Sequence, residues 1–499
     1  MQCTVAQSSW VHLGPEGRLV YAKTDRGDRI ADFSYAGYEG GGVRIPHLPA
    51  ARIVSPTGHD DFARIQQAID EVSSLPMVHG FRGAVQLRSG VYYCSRTLVV
   101  KTSGVVLRGE GVGTILTMTG DPHVAIVAAG KMVIEETGNE MPLAAAYISS
   151  GAQTLSVADL RQFKSGDTVR IRKPITKTWI AFMGMDKLRR NGKEQRWLRT
   201  DHLDVIRRVT SIRDNQLVLD VPLMDNYDSR YFEGQHASLQ RVRVTGQLAH
   251  VGVESLEIVA PQRSITLGEP EYGGIDFESV ADSWIRAVGI EDATNPFYVG
   301  PGSERVTVTD CDVRRNIPVK GAAKPFDYAT NGSQILFDRC RGNGDNTYYF
   351  ATHAQQQGPV VLLHCSFHGD GHIQPHQRWS PGLLIDNCDV VGGGIDLKNR
   401  GEMGSGHGWT TGWSVAWNNT ATTFEMNQAP GVLNWSIGNR GRQFNPGLPV
   451  FDQPNGPQDG AALPAVITES PNMPVKPPSL YLEQLKERLG ADAVRNIGY

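Results

Sequence analysis

The chain has 499 residues, including 55 glycines, with 20% charged residues and a formal net charge of −3. That length exceeds one ordinary globular core, and the abundant glycine with few charges argues against both disorder and a coiled coil. The near-neutral charge gives no case for nucleic-acid or membrane binding, and no run of about 18 apolar residues exists for a transmembrane helix.

The first 56 residues predict an extended segment with turns. From His59 the pattern changes, because Phe62, Ile65, Ile69 and Val72 recur at helical spacing after Asp60 and Asp61, either of which can cap a helix. A stack of coils has an open end with unpaired backbone groups. We therefore expect this amphipathic helix to cover such an end.

Short strands divided by glycine turns follow the helix. The segments HDDFARIQQAID, GAVQLRSGVYY and GVVLRGEGVGTIL resemble the pectate-lyase-like group of right-handed parallel β-helix proteins. The resemblance covers about residues 59–120 and 246–440 and implies an all-β solenoid. Hydrolases, lyases, epimerases and phage tailspikes share that fold, so the resemblance is specific for fold and poor for chemistry.

Residues 131–245 break the coil rhythm and predict a β-rich insertion with a basic loop. Arg196 and Trp197 stand together in this loop, and aromatic rings beside cations suit sugars that bear carboxylates. The same charges also fit a simple solvated face. We expect Arg196 and Trp197 to contact substrate.

The coils resume at residue 246, and four similar segments place cysteines at 311, 340, 365 and 388, with steps of 29, 25 and 23 residues. Each segment has a short apolar run, a cysteine and then turn residues, which is typical of a solenoid. No CxxC pair occurs, so stacked buried thiols are favoured over disulfides or metal ligands.

The chain is expected to divide into five parts. They are an N-terminal extended segment (1–56), the capping helix and first coils (57–130), the insertion (131–245), the main β-helix (246–442), and a linker with a C-terminal helix (443–499). Ser479 and Gly490 predict the limits of that helix. The first residues lack an apolar signal core, so either the protein is cytoplasmic or a signal has been removed. Of these two, we expect a secreted or periplasmic protein whose signal has been removed.

Equal offsets from the cysteines predict which polar side chains meet. Asp345 and Asp370 each lie five residues after a cysteine, and His353 and Arg378 each lie thirteen after one. Equivalent positions in adjacent coils stack, so we expect a strip of ionisable groups with the extent of a polysaccharide cleft. His364 is expected to be structural, and His368 and His407 to face solvent.

The segment HIQPHQRWSPGLLID resembles the catalytic segment of mannuronan C5-epimerases, which are also parallel β-helices. The resemblance implies that His376 is a base toward the C5 proton and that Arg378 offsets the substrate carboxylate. Two departures weigh against epimerase activity: Gln374 replaces the family's aspartate, and Trp379 stands before Ser380.

Removal of a proton beside a uronate carboxylate needs a neutralising cation, a base, and an acid for the leaving oxygen. The sequence therefore favours a polysaccharide lyase, with a glycoside hydrolase using a carboxylate pair, or a non-catalytic glycan-binding or tailspike-like protein, as alternatives. The carboxylates considered for the hydrolase are Asp345 with Asp370, or Asp276 with Glu278 and Asp282. The expected catalytic residues are His376, Arg378, His353, Tyr349, His372 and Asp370. The expected substrate contacts are Lys324, Asp345, Lys398, Arg400, Trp379, Arg196 and Trp197.

The sequence makes no cofactor certain. Calcium is possible, because it could replace the cations, and Asp345, Asp370 and Asp396 offer oxygen ligands. The expected partner is an acidic polysaccharide or oligosaccharide, and the sequence does not define the oligomeric state.

Overall fold

A computed structural model describes residues 6–323, 325–452, 456 and 458–499. These residues wind into a parallel β-helix, in which each strand pairs in parallel with its equivalents in the coils before and after. For example, Ile335 pairs with Val306 on one side and with Val360 on the other. The expected fold is therefore confirmed, together with the helix at its start, the β-rich insertion and the C-terminal helix.

Three parallel sheets run along the coil stack. The first, the site sheet, comprises Leu98–Val100, Val124–Ala129, Gly273–Glu278, Asn295–Val299, Phe326–Thr330, Tyr348–Thr352, His372–Ile373 and the ends of Asp389–Leu397, Thr420–Met426 and Arg440–Phe444. The second, the covered sheet, comprises Ala50–Val54, Gly83–Leu87, Val105–Arg108, the starts of Gly252–Val259 and Val280–Glu291, Glu304–Thr309, Ser333–Asp338, Val360–Leu363, Leu383–Asp386, Val415–Trp417, Trp435–Ile437 and Ile467–Glu469. The third comprises Gly90–Cys94, Thr114–Met118, Asp312–Arg314, Arg341–Asn343, Ser366–His368 and the remaining halves of the shared strands. A short strand, Leu248–Ala249, pairs with the start of Val280–Glu291.

The interior of the stack is built from identical positions of successive coils. Phe297, Tyr328 and Phe350 pair in register and lie in one buried row, because alternate side chains of a strand point inward. The four cysteines form another inward row and are all free and buried. Their thiols donate to backbone carbonyls, as Cys340 does to Val308 at 3.4 Å, so the expected packing of thiols is confirmed.

An amphipathic helix, Phe62–Ser73, lies over the first coils and buries Ile65, Ala68, Ile69 and Val72. The Asp60 carboxylate accepts the Phe62 N–H at 3.2 Å at the start of this helix. None of the described helices is both long and apolar enough to cross a membrane.

The insertion folds as an antiparallel sheet with its own core, which includes Val169, Ile171 and Leu239. In sheet order, its strands are Val133–Pro142, Ser238–Thr245, Thr168–Pro174, His202–Arg213, Gln216–Leu219 and Thr154–Leu155. Smaller elements are the strand pairs Tyr147–Ile148 with Tyr227–Asp228 and Arg189–Arg190 with Lys193–Glu194, the helix Lys177–Phe182, and 3-10 turns at Leu160–Gln162 and Ser229–Tyr231.

Tryptophans join the insertion to the β-helix. The rings of Trp179 and Trp197 stack at 5.3 Å between centroids, and each meets Trp379 edge-on at 6.0 Å. Trp379 is fully buried and its indole N–H donates to Asp225 at 2.8 Å, while Trp197 is 1% exposed. The prediction that Trp197 and Trp379 contact substrate is therefore wrong, because the hydrophobic effect uses both rings to dock the insertion.

The two ends of the chain cover the outer face of the covered sheet. N-terminal strands Val11–Leu13 and Leu19–Tyr21, the turn Tyr38–Gly40 and C-terminal helices Leu480–Leu489 and Ala491–Asn496 pack over its apolar side chains. Ser479 caps the first C-terminal helix by accepting the Leu482 N–H at 3.1 Å. Further short strands are Ala6–Gln7, which pairs with Val475–Lys476, and Pro449–Val450, which pairs with Gln458–Asp459.

A buried carboxyl group lies under that helix and predicts a pH-dependent stability. Asp386 accepts the Ser479 hydroxyl and the Tyr481 N–H, both at 2.7 Å, and burial raises its pKa from 3.8 to about 7. Between about pH 4 and 7 the folded state therefore keeps a proton that the unfolded chain has already released. We expect the free energy of unfolding to fall across that window and to level off above it.

Asp386→Asn keeps an oxygen that accepts these hydrogen bonds, but its side chain does not ionise. At pH 8 it should raise the free energy of unfolding by about 2–4 kcal/mol and flatten its dependence on pH, as measured by chemical denaturation. The matched change Asp389→Asn, at an exposed carboxyl group, should retain the wild-type pH dependence. An unchanged slope in Asp386→Asn would contradict this assignment.

Candidate functional site

The site is built on the outer face of the site sheet. Ala329 and Ala351 are paired on adjacent strands, and their small side chains leave space that the rings of Tyr298, Phe326 and Tyr348 cover. The two strands each run into a turn at the same side of the sheet. The residues of those turns and of the next coil bring the histidines together.

Three histidines and two arginines form a compact group, which we call the histidine cluster: His353, His376, His407, Arg378 and Arg400. The His376 ring lies 6.0 Å from His353 and 4.8 Å from His407, and both contacts are edge-on. Tyr348 lies 5.5 Å from His376, and the Arg400 guanidinium is 5.7 Å from the Tyr348 ring. Sequence offsets correctly place His353 near His376.

Backbone hydrogen bonds between coils fix the two central histidines. The N–H of His353 donates to Thr330 and the N–H of His376 donates to Thr352, each at 2.9 Å, so both residues continue the strand ladder into the turn. Arg400 from the next coil donates to the His376 carbonyl at 2.9 Å. The positions of these rings are thus set by the coil stack rather than by a free loop.

The following residues are held in an uncommon conformation. Arg378 and Trp379 have φ of 52° and 62°, the left-handed region that costs non-glycine residues about 1–3 kcal/mol each. The Arg378 backbone N–H donates to His407 at 3.0 Å, and its guanidinium donates to the Ser405 carbonyl at 3.0 Å and hydroxyl at 2.6 Å. This strained turn aims Arg378 at the loop that carries His407.

Both arginines of the cluster are buried without a carboxylate. Arg378 is 7% exposed and Arg400 is 5% exposed, and neither makes an ion pair with any described residue. Within the described residues, Nε of each arginine and Nδ1 of His407 also lack a hydrogen-bond partner. Buried polar groups normally have partners, so these unpaired donors beside two cations make the cluster a candidate site for an anion.

Burial and the two arginines keep His376 and His407 neutral. Burial first, and then the charges of Arg400 and Arg378 with the neighbouring histidines, lower the pKa of His376 to about 2. Burial and the same two arginines lower the pKa of His407 to about 3, with a further contribution from Arg190 of the insertion. At neutral pH the cluster therefore combines two cations with neutral imidazoles.

A second group of charges lies beside the cluster, on the ends of the site-sheet strands. Asp396 is buried, and it contacts His372 at 3.0 Å and Lys398 at 3.2 Å, while Lys398 also pairs with Glu425. Burial alone would lower the pKa of His372, but the hydrogen bond and charge of Asp396 raise it. The side chains of His372 and Lys398 are thus both paired with the Asp396 carboxylate, and Gln374 donates to the same carboxylate.

Tyr349 is wrongly predicted as a catalytic acid. Its position on the strand matches that of Asp327 in the coil before, which is buried as well. Its ring is fully buried against Phe367, and its hydroxyl donates to the Gly344 carbonyl at 3.1 Å. Tyr348 faces the cluster instead.

The remaining predicted residues lie outside the cluster. Asp370 is an exposed residue paired with Lys320, and its N–H donates to Asp345 at 3.3 Å, so those two aspartates are neighbours as expected. Arg196 is exposed on the insertion, where it lines a separate groove beside Trp197. Lys324 lies outside the described residues.

Sequence reasoning gave Tyr348 no catalytic role and missed His407. His407 was expected to face solvent but is 8% exposed, while His368 is exposed as expected and His364 bonds to the Tyr499 hydroxyl at 2.8 Å. The signal for His407 is the run GSGHG: Gly404 has φ of 59° and packs so closely on the His407 ring that any Cβ would overlap it.

The aspartates considered as calcium ligands do not assemble a site. Asp396 is occupied by His372, Gln374 and Lys398, and Asp370 by Lys320. Among the described residues, no group of three or more His, Cys, Asp or Glu side chains is arranged to hold a metal ion. These carboxylates therefore do not fit calcium.

The fold and site define a parallel β-helix protein with a buried cationic histidine cluster. No protein-family model matches the sequence, and no curated protein matches it. Similar solved structures include the tailspike protein of Pseudomonas phage LKA1, which is 15% identical with a TM-score of 0.42 over 78% of this chain and 70% of the other.

Two further solved structures are similar at lower identity. The tailspike of E. coli bacteriophage HK620, in complex with a pentasaccharide, is 10% identical with a TM-score of 0.42, over 84% of this chain and 64% of the other. The A-module of a mannuronan C-5 epimerase from Azotobacter vinelandii is 9% identical with a TM-score of 0.34, over 83% and 87%. Similarity at this level says nothing about the roles of individual residues.

Proposed function

We propose that the protein is a polysaccharide lyase that cleaves a uronic-acid-containing glycan by β-elimination at the histidine cluster. One observation carries this proposal: Arg378 and Arg400 are buried, lack carboxylate partners among the described residues, and present unpartnered Nε groups beside neutral histidines. A sugar carboxylate would supply the missing negative charge and acceptors. The resemblance of the His376 segment to the epimerase catalytic segment points to the same proton of the sugar.

The proposed reaction needs three roles. Arg378 and Arg400 neutralise the carboxylate, which stabilises the negative charge that develops when the C5 proton leaves. His376 removes that proton as a neutral base. The bond from C4 to the bridging oxygen then breaks, a double bond forms between C4 and C5, and the Tyr348 hydroxyl gives the leaving oxygen a proton.

Substrate binding would itself activate the base. In the free protein burial, and after it the nearby cations, keep the pKa of His376 at about 2, too low for an efficient base. A bound carboxylate places a negative charge beside the ring, and a nearby opposite charge raises the pKa of an imidazole. The cluster would therefore be most basic only when an acidic sugar occupies it.

A substrate panel tests the proposal. The protein is incubated with polygalacturonate, polymannuronate, polyglucuronate and neutral polysaccharides, and both the ultraviolet absorbance of unsaturated uronate and the release of reducing ends are followed. A lyase produces both signals on an acidic polymer. Reducing ends without unsaturation would indicate a hydrolase, and neither signal with measurable binding would indicate a non-catalytic glycan-binding protein.

The hydrolase alternative has one favourable observation. Asp276 and Glu278 lie on the site sheet close enough to Tyr298 for their charges to raise its pKa, after burial, to about 12. Two carboxyl groups near a sugar cleft are what such chemistry requires. Asp282, also considered for that role, is instead paired with Arg305 at 2.7 Å.

Removal of one cluster arginine should reduce turnover of the acidic substrate. Arg400→Met keeps much of the side-chain volume but loses the charge and the bond to the His376 carbonyl, and we expect kcat/KM to fall by about 10²-fold. Arg440→Met, at an exposed arginine of the last coils, is the matched control and should keep wild-type kinetics. Equal kinetics for both variants would remove Arg400 from the site.

A further inference from the structure

The insertion and the β-helix enclose a cavity of about 310 Å³ that none of the cluster side chains lines. Coil turns contribute amide side chains to one wall, including Asn331, Gln355 and Gln357. The insertion contributes Arg207 and Asp220 to the opposite wall. The cavity is therefore a polar space between two parts of the chain that fold on separate cores.

Arg207 is the unusual residue of this cavity. It is 3% exposed, and its guanidinium donates to the carbonyls of Ile206 at 2.9 Å and Gly358 at 3.1 Å, which ties the insertion to a coil turn. Its Nε has no hydrogen-bond partner in the described part of the chain. Buried N–H groups normally have partners, so this atom marks an incomplete set of polar contacts in the lining of the cavity.

The charges of the lining set this cavity apart from the histidine cluster. Three carboxylates, Asp204, Asp220 and Glu304, balance three guanidinium groups, Arg207, Arg208 and Arg305. An anion would meet as much repulsion as attraction here. The lining instead offers many donors and acceptors without net charge, which suits a ligand rich in hydroxyl groups.

We propose that this cavity binds a neutral sugar, one or two rings in length, as an accessory glycan site. A volume of 310 Å³ is at the lower end of the range for ligand pockets, roughly 300–1,000 Å³, and so limits the ligand to that size. Hydroxyl groups of the sugar pair with the amides and carboxylates of the walls. The proposal does not depend on lyase activity at the histidine cluster.

Saturation-transfer NMR on the full chain tests this site with glucose, galactose, mannose and N-acetylglucosamine as separate probes and galacturonate as the charged comparison. We expect at least one neutral sugar to bind. The double variant Asn331→Ala/Gln357→Ala leaves Arg207 and the core in place. It should lower the affinity for that sugar by about tenfold, because two polar contacts are lost. Gln235→Ala, at an exposed glutamine of the insertion, should not alter it.

The outcomes separate this site from the proposed active site. His376→Ala should leave the neutral sugar bound, whereas a loss of binding in that variant would place the sugar in the cluster and overturn the proposal. The proposal also fails if none of the four neutral sugars binds, or if the double variant binds the neutral sugar as the wild type does. It fails as well if the double variant no longer binds galacturonate, because the cavity would then hold the charged sugar. Turnover of polyuronate is measured independently and does not enter this test.

Discussion

His376→Ala should lower kcat/KM on the polyuronate substrate by about 10³-fold and leave the thermal unfolding midpoint almost unchanged. General-base catalysis typically contributes 10²–10⁴-fold, and His376 is the central ring of the cluster, within 6.0 Å of two other histidines. Its side chain is half-buried and belongs to none of the apolar cores, so its loss should not open the coil stack. Steady-state kinetics and calorimetry measure the two effects.

His368→Ala is the control for this variant. His368 lies on a neighbouring strand of the third sheet and is exposed, and its ring contacts the Ser366 hydroxyl at 3.2 Å. It should keep wild-type turnover. Full activity in His376→Ala would refute the assignment of the base, and a large drop in its unfolding midpoint would mean that the residue acts through structure.

Trp379→Ala should destabilise the protein by about 3–5 kcal/mol, which is the range for removal of a fully buried large aromatic side chain. Trp379 meets both Trp179 and Trp197, and its N–H bonds to Asp225, which also holds Lys173 at 2.8 Å. The variant leaves a cavity, and the buried Asp225 carboxylate loses one hydrogen-bond donor. We expect the insertion to become susceptible to proteolysis before the coils unfold.

Denaturant titration and limited proteolysis check this expectation. The comparison variant is Tyr93→Ala, because Tyr93 lies on a coil strand but is 38% exposed, and its truncation should change stability by less than about 1 kcal/mol. A similarly small effect for Trp379→Ala would show that the tryptophan contacts do not hold the insertion in place.

The coil stack could be predicted because its physical signal repeats. Each coil needs an apolar run, a small inward residue and a turn, so the cysteine spacing revealed the winding and equal offsets placed His353 beside His376. Positions that depend on one irregular turn could not be found in this way. The strand that carries Tyr348 and Tyr349 shifts register against the next coil and buries Tyr349, and no offset rule contains such a shift.

Contacts between distant segments were equally invisible to the sequence. Trp197 and Trp379 are 182 positions apart along the chain, yet their rings bury each other. The sequence therefore predicted an exposed ring among cations, whereas the rings form the apolar contact between the insertion and the β-helix. His407 joins the cluster only because a glycine-rich loop folds back over Arg378. Composition identifies such a loop, but not the surface on which it closes.

The row of free thiols along the β-helix has a practical consequence. Cys311, Cys340, Cys365 and Cys388 occupy consecutive coils and are at most 1% exposed, so an alkylating reagent reaches each of them only after its own coil has parted from its neighbours. A comparison of the four modification rates would then show which coils separate first during unfolding.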